Sequence, residues 1–233
     1  AQVMLDRLAA TGPKPAICIV GEPTSMRIIE GHKGCCEYTT TFTGAEGHAS
    51  QPDLGVNAID YAVRYIARLM AIGETLKARQ PRDSPFDPPW STVQVGRIAG
   101  GAARNIIAGS CAVEWELRPV NAADFTYARR DIEAYVESEL LPRMRAVSPG
   151  AGILTEVIGE VAGLEPMHPS AAEALIRTLT GDRAPARCVS FGTEAGLFQQ
   201  HGVSTVICGP GSIEQAHKPD EYIELGQLDA CLG

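Results

Sequence analysis

The chain has 233 residues, of which 45% are hydrophobic and 21% charged, and a net charge of −8. This is the composition of a soluble globular protein with a real core; it excludes disorder, and no apolar run approaches the roughly 18 residues that a membrane span needs. The acidity, without a Lys/Arg cluster, argues against nucleic acid as a partner, and seven cysteines with no Cys-x-x-Cys pair indicate reduced thiols in a cytoplasm rather than a disulfide framework or a thiolate zinc cluster.

Taken in chain order, Ala1 to Ala10 reads as an amphipathic helix without the basic start and apolar core of a signal peptide. The run Ala16 to Val20 is short and continuously apolar, as a buried parallel strand is, and it ends at Gly21-Glu22-Pro23-Thr24. Cys36 to Thr43, rich in Thr, Tyr and Phe, reads as the next strand. Val56, Ile59, Val63, Ile66, Leu69 and Met70 recur at helical spacing through about Lys77. Gln80 to Trp90 holds four prolines and reads as loop. Thr92 to Ile98 and Cys111 to Leu117 read as strands around a Gly100-Gly101 turn, Asp124 to Met144 as a helix, and Ile153 to Val161 as a strand.

The order from Cys36 to Val161 is therefore β-α-β-β-α-β, the ferredoxin-like pattern with both helices on one face of a sheet. Beyond it the α/β alternation of the start resumes, with helices over Ser170–Thr180 and Glu194–Gln200 and strands at Cys188-Val189 and Val203–Cys208. The fold class expected is α/β, with a ferredoxin-like domain at about 34–163 interrupting an α/β domain made of 1–33 and 164–233.

In open α/β sheets the ligand crevice lies beyond the carboxyl ends of the strands. That directs attention to Glu22 and to the loop from Gly209 through His217. A carboxylate and an imidazole converging from separate loops suit zinc, though two ligands do not make a site. The dinucleotide and triphosphate glycine motifs and Gly-x-Ser-x-Gly are absent. Cys35-Cys36, entering a strand, reads as packing rather than as a nucleophile.

Several blocks stand in the order of a known family: Gly21-Glu22-Pro23-Thr24, Gly31-His32-Lys33-Gly34, Gly47-His48-Ala49-Ser50-Gln51-Pro52, Asn105-Ile106-Ile107, Leu117-Arg118-Pro119, Ser190 to Gly196, and Cys208 to Ile223. In these the chain resembles the co-catalytic zinc amidohydrolases and metallopeptidases, a family that includes acetylornithine deacetylases, succinyl-diaminopimelate desuccinylases and glutamate carboxypeptidases. The Ser212-Ile213-Glu214-Gln215-Ala216-His217 run looks most like the first of these. The resemblance implies an α/β zinc-binding domain interrupted by a ferredoxin-like lid that makes a homodimer. It implies Glu22 and His217 as ligands of different zincs, and His48 as the lid histidine that reaches the partner's site to stabilise an oxyanion. It implies Asn105 and Arg118 as substrate-holding lid residues, Arg118 suiting a carboxylate, and Thr193 as a contact beside the site.

The activity implied is zinc-dependent hydrolysis of a small N-acyl amino acid, with N-acetylornithine favoured, in the cytoplasm and with neither nucleic acid nor membrane as partner. Another N-acyl-amino-acid hydrolase or dipeptidase, and a non-catalytic dimeric module, are the competing readings. The family's upstream His-x-Asp and Glu-Glu motifs, which supply the base and further ligands, occur nowhere in the sequence. The chain thus looks like the carboxyl-terminal three-fifths of such an enzyme, and its binuclear site is expected to be incomplete and inactive.

Overall fold

The computed structural model describes residues 2–216 and 218–233. In chain order the elements begin α1 (Gln2–Thr11), β1 (Ile17–Val20), β2 (Ile29–His32), β3 (Cys35–Thr43), α2 (Ala58–Ala78), β4 (Thr92–Gly100), β5 (Ser110–Arg118) and α3 (Ala122–Tyr135). A π-helical segment, Val136–Leu140, joins α3 to α4 (Leu141–Val147). There follow β6 (Gly152–Val161), α5 (Ala171–Thr180), β7 (Arg187–Val189), α6 (Ala195–Gln200), β8 (Ser204–Ile207) and α7 (Leu225–Leu232). The chain divides into two units, Ala1–Gly34 with Asp83–Pro89 and Val161–Gly233, and Cys35–Arg82 with Trp90–Glu160. Residues 83–89, from the proline-rich loop that the sequence reading keeps inside the 34–163 insertion, group with the first unit instead.

The second unit carries the β-α-β-β-α-β order in a sheet of order β4-β5-β3-β6, with β3 and β4 both antiparallel to β5. Strand periodicity explains its core: Cys36, Tyr38 and Phe42 of β3 and Cys111, Val113, Trp115 and Leu117 of β5 alternate onto one face. Ala58, Ala62, Tyr65, Leu69, Ile72 and Leu76 of α2, spaced three and four apart, and Ala128 and Ile132 of α3 cover that face. Both helices therefore lie on the same side, as the ferredoxin-like reading requires. Arg68 of α2 grips Asp131 of α3 with both prongs, at 2.6 and 2.8 Å, which fixes the helices against each other.

One polar node sits inside this core. The fully buried Thr40 hydroxyl accepts from the Trp115 indole N–H at 3.0 Å and donates to the Tyr65 hydroxyl at 3.1 Å, with the Thr155 hydroxyl of β6 at 3.0 Å. The ring of Trp115 also stacks on Tyr38, with centroids 4.4 Å apart.

Two sequence expectations are corrected here. The single helix expected over 124–144 is interrupted, because Pro142 has no N–H to give and its ring crowds the preceding turn, so the chain widens to a π register just before it. The Gly100-Gly101 turn is in fact the start of a longer loop, 101–109, with Gly101 at φ 74°.

The first unit is a four-stranded mixed sheet of order β1-β8-β2-β7, in which β1 pairs parallel with β8 and β2 parallel with β7. Alternation along β8 sends Val206 and the following Cys208 toward Ala172 and Ile176 of α5, and Ile207 toward Ala195 of α6. Helices thus cover both faces, as continuous apolar strands demand. β2 was not visible in the sequence, where Glu30-Gly31 breaks the apolar run after Ile28-Ile29. Among the described residues no helix is long and apolar enough to cross a membrane.

Thr40→Val keeps the volume of the side chain but leaves the Trp115 N–H without its Thr40 acceptor and takes one partner from the Tyr65 hydroxyl. It is expected to cost about 1–3 kcal/mol, read as a lowered urea midpoint at unchanged slope.

Candidate active site

Glu22 follows β1 at the carboxyl end of the β1/β8 parallel pair, in a tight turn where Thr24 N donates to the Glu22 carbonyl at 2.8 Å. This turn is stitched to the loop after β8. Thr24 N and Met26 N donate to the Gly209 carbonyl, Ser25 N donates to the Gly211 carbonyl at 2.6 Å, and Gly209 N donates to the Thr24 hydroxyl at 3.1 Å. The approach is so close that a Cβ on Gly209 would sit 2.5 Å from the Glu22 carbonyl oxygen. Only glycine fits there. Ser25 and Met26 are held at φ 52° and 58°, in the left-handed region that side chains avoid. Strain of that kind, on the order of 1–3 kcal/mol per residue, persists only where surrounding bonds determine it, and the stitch supplies them. Glu22 is partly exposed. His217, the expected second metal ligand, lies outside the described residues.

Thr193 is buried just before α6, and its hydroxyl is fully engaged. It accepts from Ala195 N at 3.1 Å and lies 3.1 Å from His32 Nε2. His32 Nδ1 lies 2.7 Å from the Lys33 carbonyl, so Nδ1 carries the proton and Nε2 accepts from Thr193. His32, at 1% exposure, is the residue that sequence reasoning missed here. It stood inside the Gly31-His32-Lys33-Gly34 block, but its strand, β2, was not recognised. Burial pushes its pKa below the usual histidine value, opposed by the bond to the Lys33 carbonyl.

In the second unit the structure brings His48 and Asn105 together. Their loops pair through Ala49 N to the Asn105 carbonyl at 3.0 Å and Ile107 N to the Gly47 carbonyl at 2.9 Å, an antiparallel bridge between His48 and Ile106. Both side chains are exposed. His48 Nδ1 accepts from Ser50 N at 3.2 Å with the Ser50 hydroxyl at 2.7 Å, which leaves the ring proton on Nε2 as an outward donor. Arg118 lies elsewhere. It stands at the far end of β5, whose Ser110 end pairs with Thr43 and leads into the His48 and Asn105 loops. At the usual rise per residue the two ends of β5 are about 26 Å apart. The Arg118 guanidinium is already paired, Nε and Nη2 both donating to one Glu116 oxygen at 3.1 and 2.8 Å.

The cysteines fit a packing role: burial pushes the Cys36 thiol up to about 12 and Cys188 to about 11, so neither is a thiolate at neutral pH. Among the described residues no group of three or more His, Cys, Asp and Glu ligands includes Glu22. One carboxylate does not hold a zinc. The described residues therefore do not by themselves fit the metal set that the resemblance implies, and no chemical step is routed through it.

The sheets and the inserted β-α-β-β-α-β unit, with a histidine and an asparagine paired at its tip, define a two-part α/β chain of the kind found in hydrolases with an inserted dimerisation domain. Residues 30–144 match the model of the peptidase dimerisation domain. The chain is 37% identical over 216 residues to the acetylornithine deacetylase of Edwardsiella ictaluri, covering 92% of this chain and 54% of that protein. It is 34% identical over 224 residues to that of Vibrio vulnificus, covering 96% and 57%. Solved structures with the same fold include a tripeptidase from Staphylococcus aureus, with a TM-score of 0.68 at 18% identity over 96% of this chain and 55% of that one. Aminopeptidase PepT from Bacillus cereus gives 0.67 at 19%, over 98% and 57%. Over nearly its whole length the chain is thus similar to acetylornithine deacetylases, and residues 30–144 match the dimerisation domain of M20 peptidases. It spans about half the length of the curated relatives it matches.

His32 is neutral in the fold, with a pKa below its unfolded value near 6.5, so the unfolded chain takes up the proton first as the pH falls. The stability it contributes is complete above about pH 6.5 and is lost as the pH drops below that. Urea midpoints at pH 7.5 and 5.5 are expected to fall further for the wild-type chain than for His32→Gln.

Proposed function

We propose that this polypeptide contributes the dimerising lid and part of the metal-binding domain to an N-acyl-amino-acid amidohydrolase, with N-acetylornithine as the favoured substrate. The observation that carries the reading is the pairing of His48 with the Asn105 loop, within a chain 34–37% identical to acetylornithine deacetylases over nearly its whole length. In this reading His48 Nε2–H donates to the acyl oxygen as charge develops on it, Asn105 holds the substrate beside it, and Arg118 binds a carboxylate after Glu116 yields its place. Glu22 and His217 serve as metal ligands, zinc being the metal, and Thr193, through His32, holds the loop that borders the site.

The span of β5 has a consequence for assembly. A small N-acyl amino acid cannot reach from His48 to Arg118 of the same lid, so the two ends serve different substrate sites and a homodimer is required for both to act. Exposed apolar side chains support such an interface: Leu154, Val157 and Ile158 on the edge strand β6, and Val63 and Met70 on the outer side of α2. A cytoplasmic location belongs to the same reading and rests on the unpaired thiols.

Two outcomes test this. The 233-residue chain should sediment as a dimer at micromolar concentration, and the pair Val157→Lys and Ile158→Lys should shift it to monomer. It should not measurably hydrolyse N-acetylornithine, because its sequence holds neither the Glu-Glu nor the His-x-Asp motif. Adding a segment with those motifs should restore zinc-dependent hydrolysis, and His48→Ala should then lower turnover on the order of 10²–10³-fold at unchanged zinc content. Robust zinc-dependent hydrolysis by the 233-residue chain without that segment would overturn the assignment of roles.

A further inference from the structure

The geometry points to a divalent-cation site in the first unit, formed by Glu30, His168 and Glu173, none of which belongs to the family blocks in the sequence. Glu30 lies on β2, His168 in the segment before α5, and Glu173 in the first turn of α5. One ligand atom from each lies within 4.8 Å of the others. An imidazole with two carboxylates is a donor set that zinc accepts while keeping a position open.

A second observation is independent of that clustering. Glu30 Oε2 is shut off from solvent and has no hydrogen-bond partner. It faces into the group, 3.5 Å from His168 Nε2. Buried carboxylate oxygens without a hydrogen bond are rare in folded proteins, and either a protonated His168 ring or a bound cation would answer this one. Glu173 is already oriented: Arg177 donates to its Oε1 through Nε at 2.9 Å and Nη2 at 2.7 Å, which leaves the other oxygen for a cation. Arg177 is itself anchored on the carbonyls of Asp182 and Ala184.

Two effects oppose a cation here. Arg177 offsets part of the Glu173 charge, and the amino end of α5 carries a partial positive charge. Against them stands the Glu30 carboxylate, whose buried Oε2 has no hydrogen-bond partner. His168 is 70% exposed, so an ion has a direct route from solvent. The neighbouring Cys188 remains a thiol, its pKa raised by burial and then by Glu30, and is a neighbour rather than a ligand.

The test is zinc titration of the 233-residue chain against a chromophoric chelator, together with ¹⁵N shifts of the histidine rings. One zinc should bind, moving the His168 Nε2 resonance. Since even indirect ligand partners typically account for 10–100-fold in metal affinity, His168→Ala and Glu30→Gln should each weaken binding at least tenfold. The double variant Glu22→Gln with His217→Ala should leave it unchanged. His168→Ala alters an exposed side chain and decides the question even if Glu30→Gln fails to fold. Absence of stoichiometric zinc, equal affinity in His168→Ala, or loss of the zinc in the Glu22/His217 variant would each overturn the site.

Discussion

The hydroxyl of Thr40 occupies the point at which three strands and a helix of the inserted unit meet, and it bonds both the buried Trp115 indole and the Tyr65 phenol. Those two rings, with Tyr38 and Phe42, fill the space between the sheet and α2. Large aromatic groups supply most of the burial such a core needs, but their polar atoms have to be answered inside it. A single threonine does this. The sheet is thereby locked in one register, and the register sets where the loops at 44–57 and 101–109 emerge side by side. Gly44 completes the arrangement, since a Cβ there would press on the Ala108 carbonyl at 2.9 Å. The placement of His48 beside Asn105 is a consequence of core packing rather than of any contact between the two side chains.

The first unit solves a different problem. Its strands are covered on both faces, so the crevice beyond the strand ends is the main place where polar side chains such as Glu22 reach a ligand. The turn at Glu22 is strained at two consecutive residues, and the backbone bonds from Thr24, Ser25 and Met26 to Gly209 and Gly211 are what hold it. Each such bond is worth about 1 kcal/mol net. Three or four of them offset a strain of the size that two left-handed residues carry. The buried His32 and Thr193 pair fastens the loop before α6 to β2 in the same way, with every polar atom of both side chains engaged.

The two ends of β5 hold His48 with Asn105 at one end and Arg118 at the other, about 26 Å apart, farther than a small N-acyl amino acid spans. In the proposed dimer both ends are used, since a second copy brings a second set of loops. In the proposed reading the paired state is a part of the catalytic arrangement, in addition to any stability it confers. The exposed apolar edge of β6 fits this physical account, because an open strand edge in water is otherwise a liability.

Periodicity made much of this legible without coordinates. The alternation in 36–43 and 111–117 and the three-four spacing from Val56 to Leu76 determine strands, helix and a common apolar face, since each follows from local geometry. The motif blocks likewise marked Glu22, His48, Asn105, Arg118, Thr193 and His217 as residues of interest. What local pattern could not decide was anything set by a distant partner. β2 exists because β7 and β8 accept its hydrogen bonds, although its own sequence is broken by Glu30-Gly31. The π segment follows from one proline acting on the preceding turn. Arg118 is separated from His48 by the length of a strand, and its charge is already answered by Glu116, two residues away on the same face. Glu30 lies far along the chain from His168 and Glu173 and meets them only in the folded first unit. The sequence by itself determined which residues favour strand, helix and apolar face, because those preferences are local; tertiary structure alone decided which side chains meet, because that depends on the register and closure of sheets whose strands are far apart in the chain.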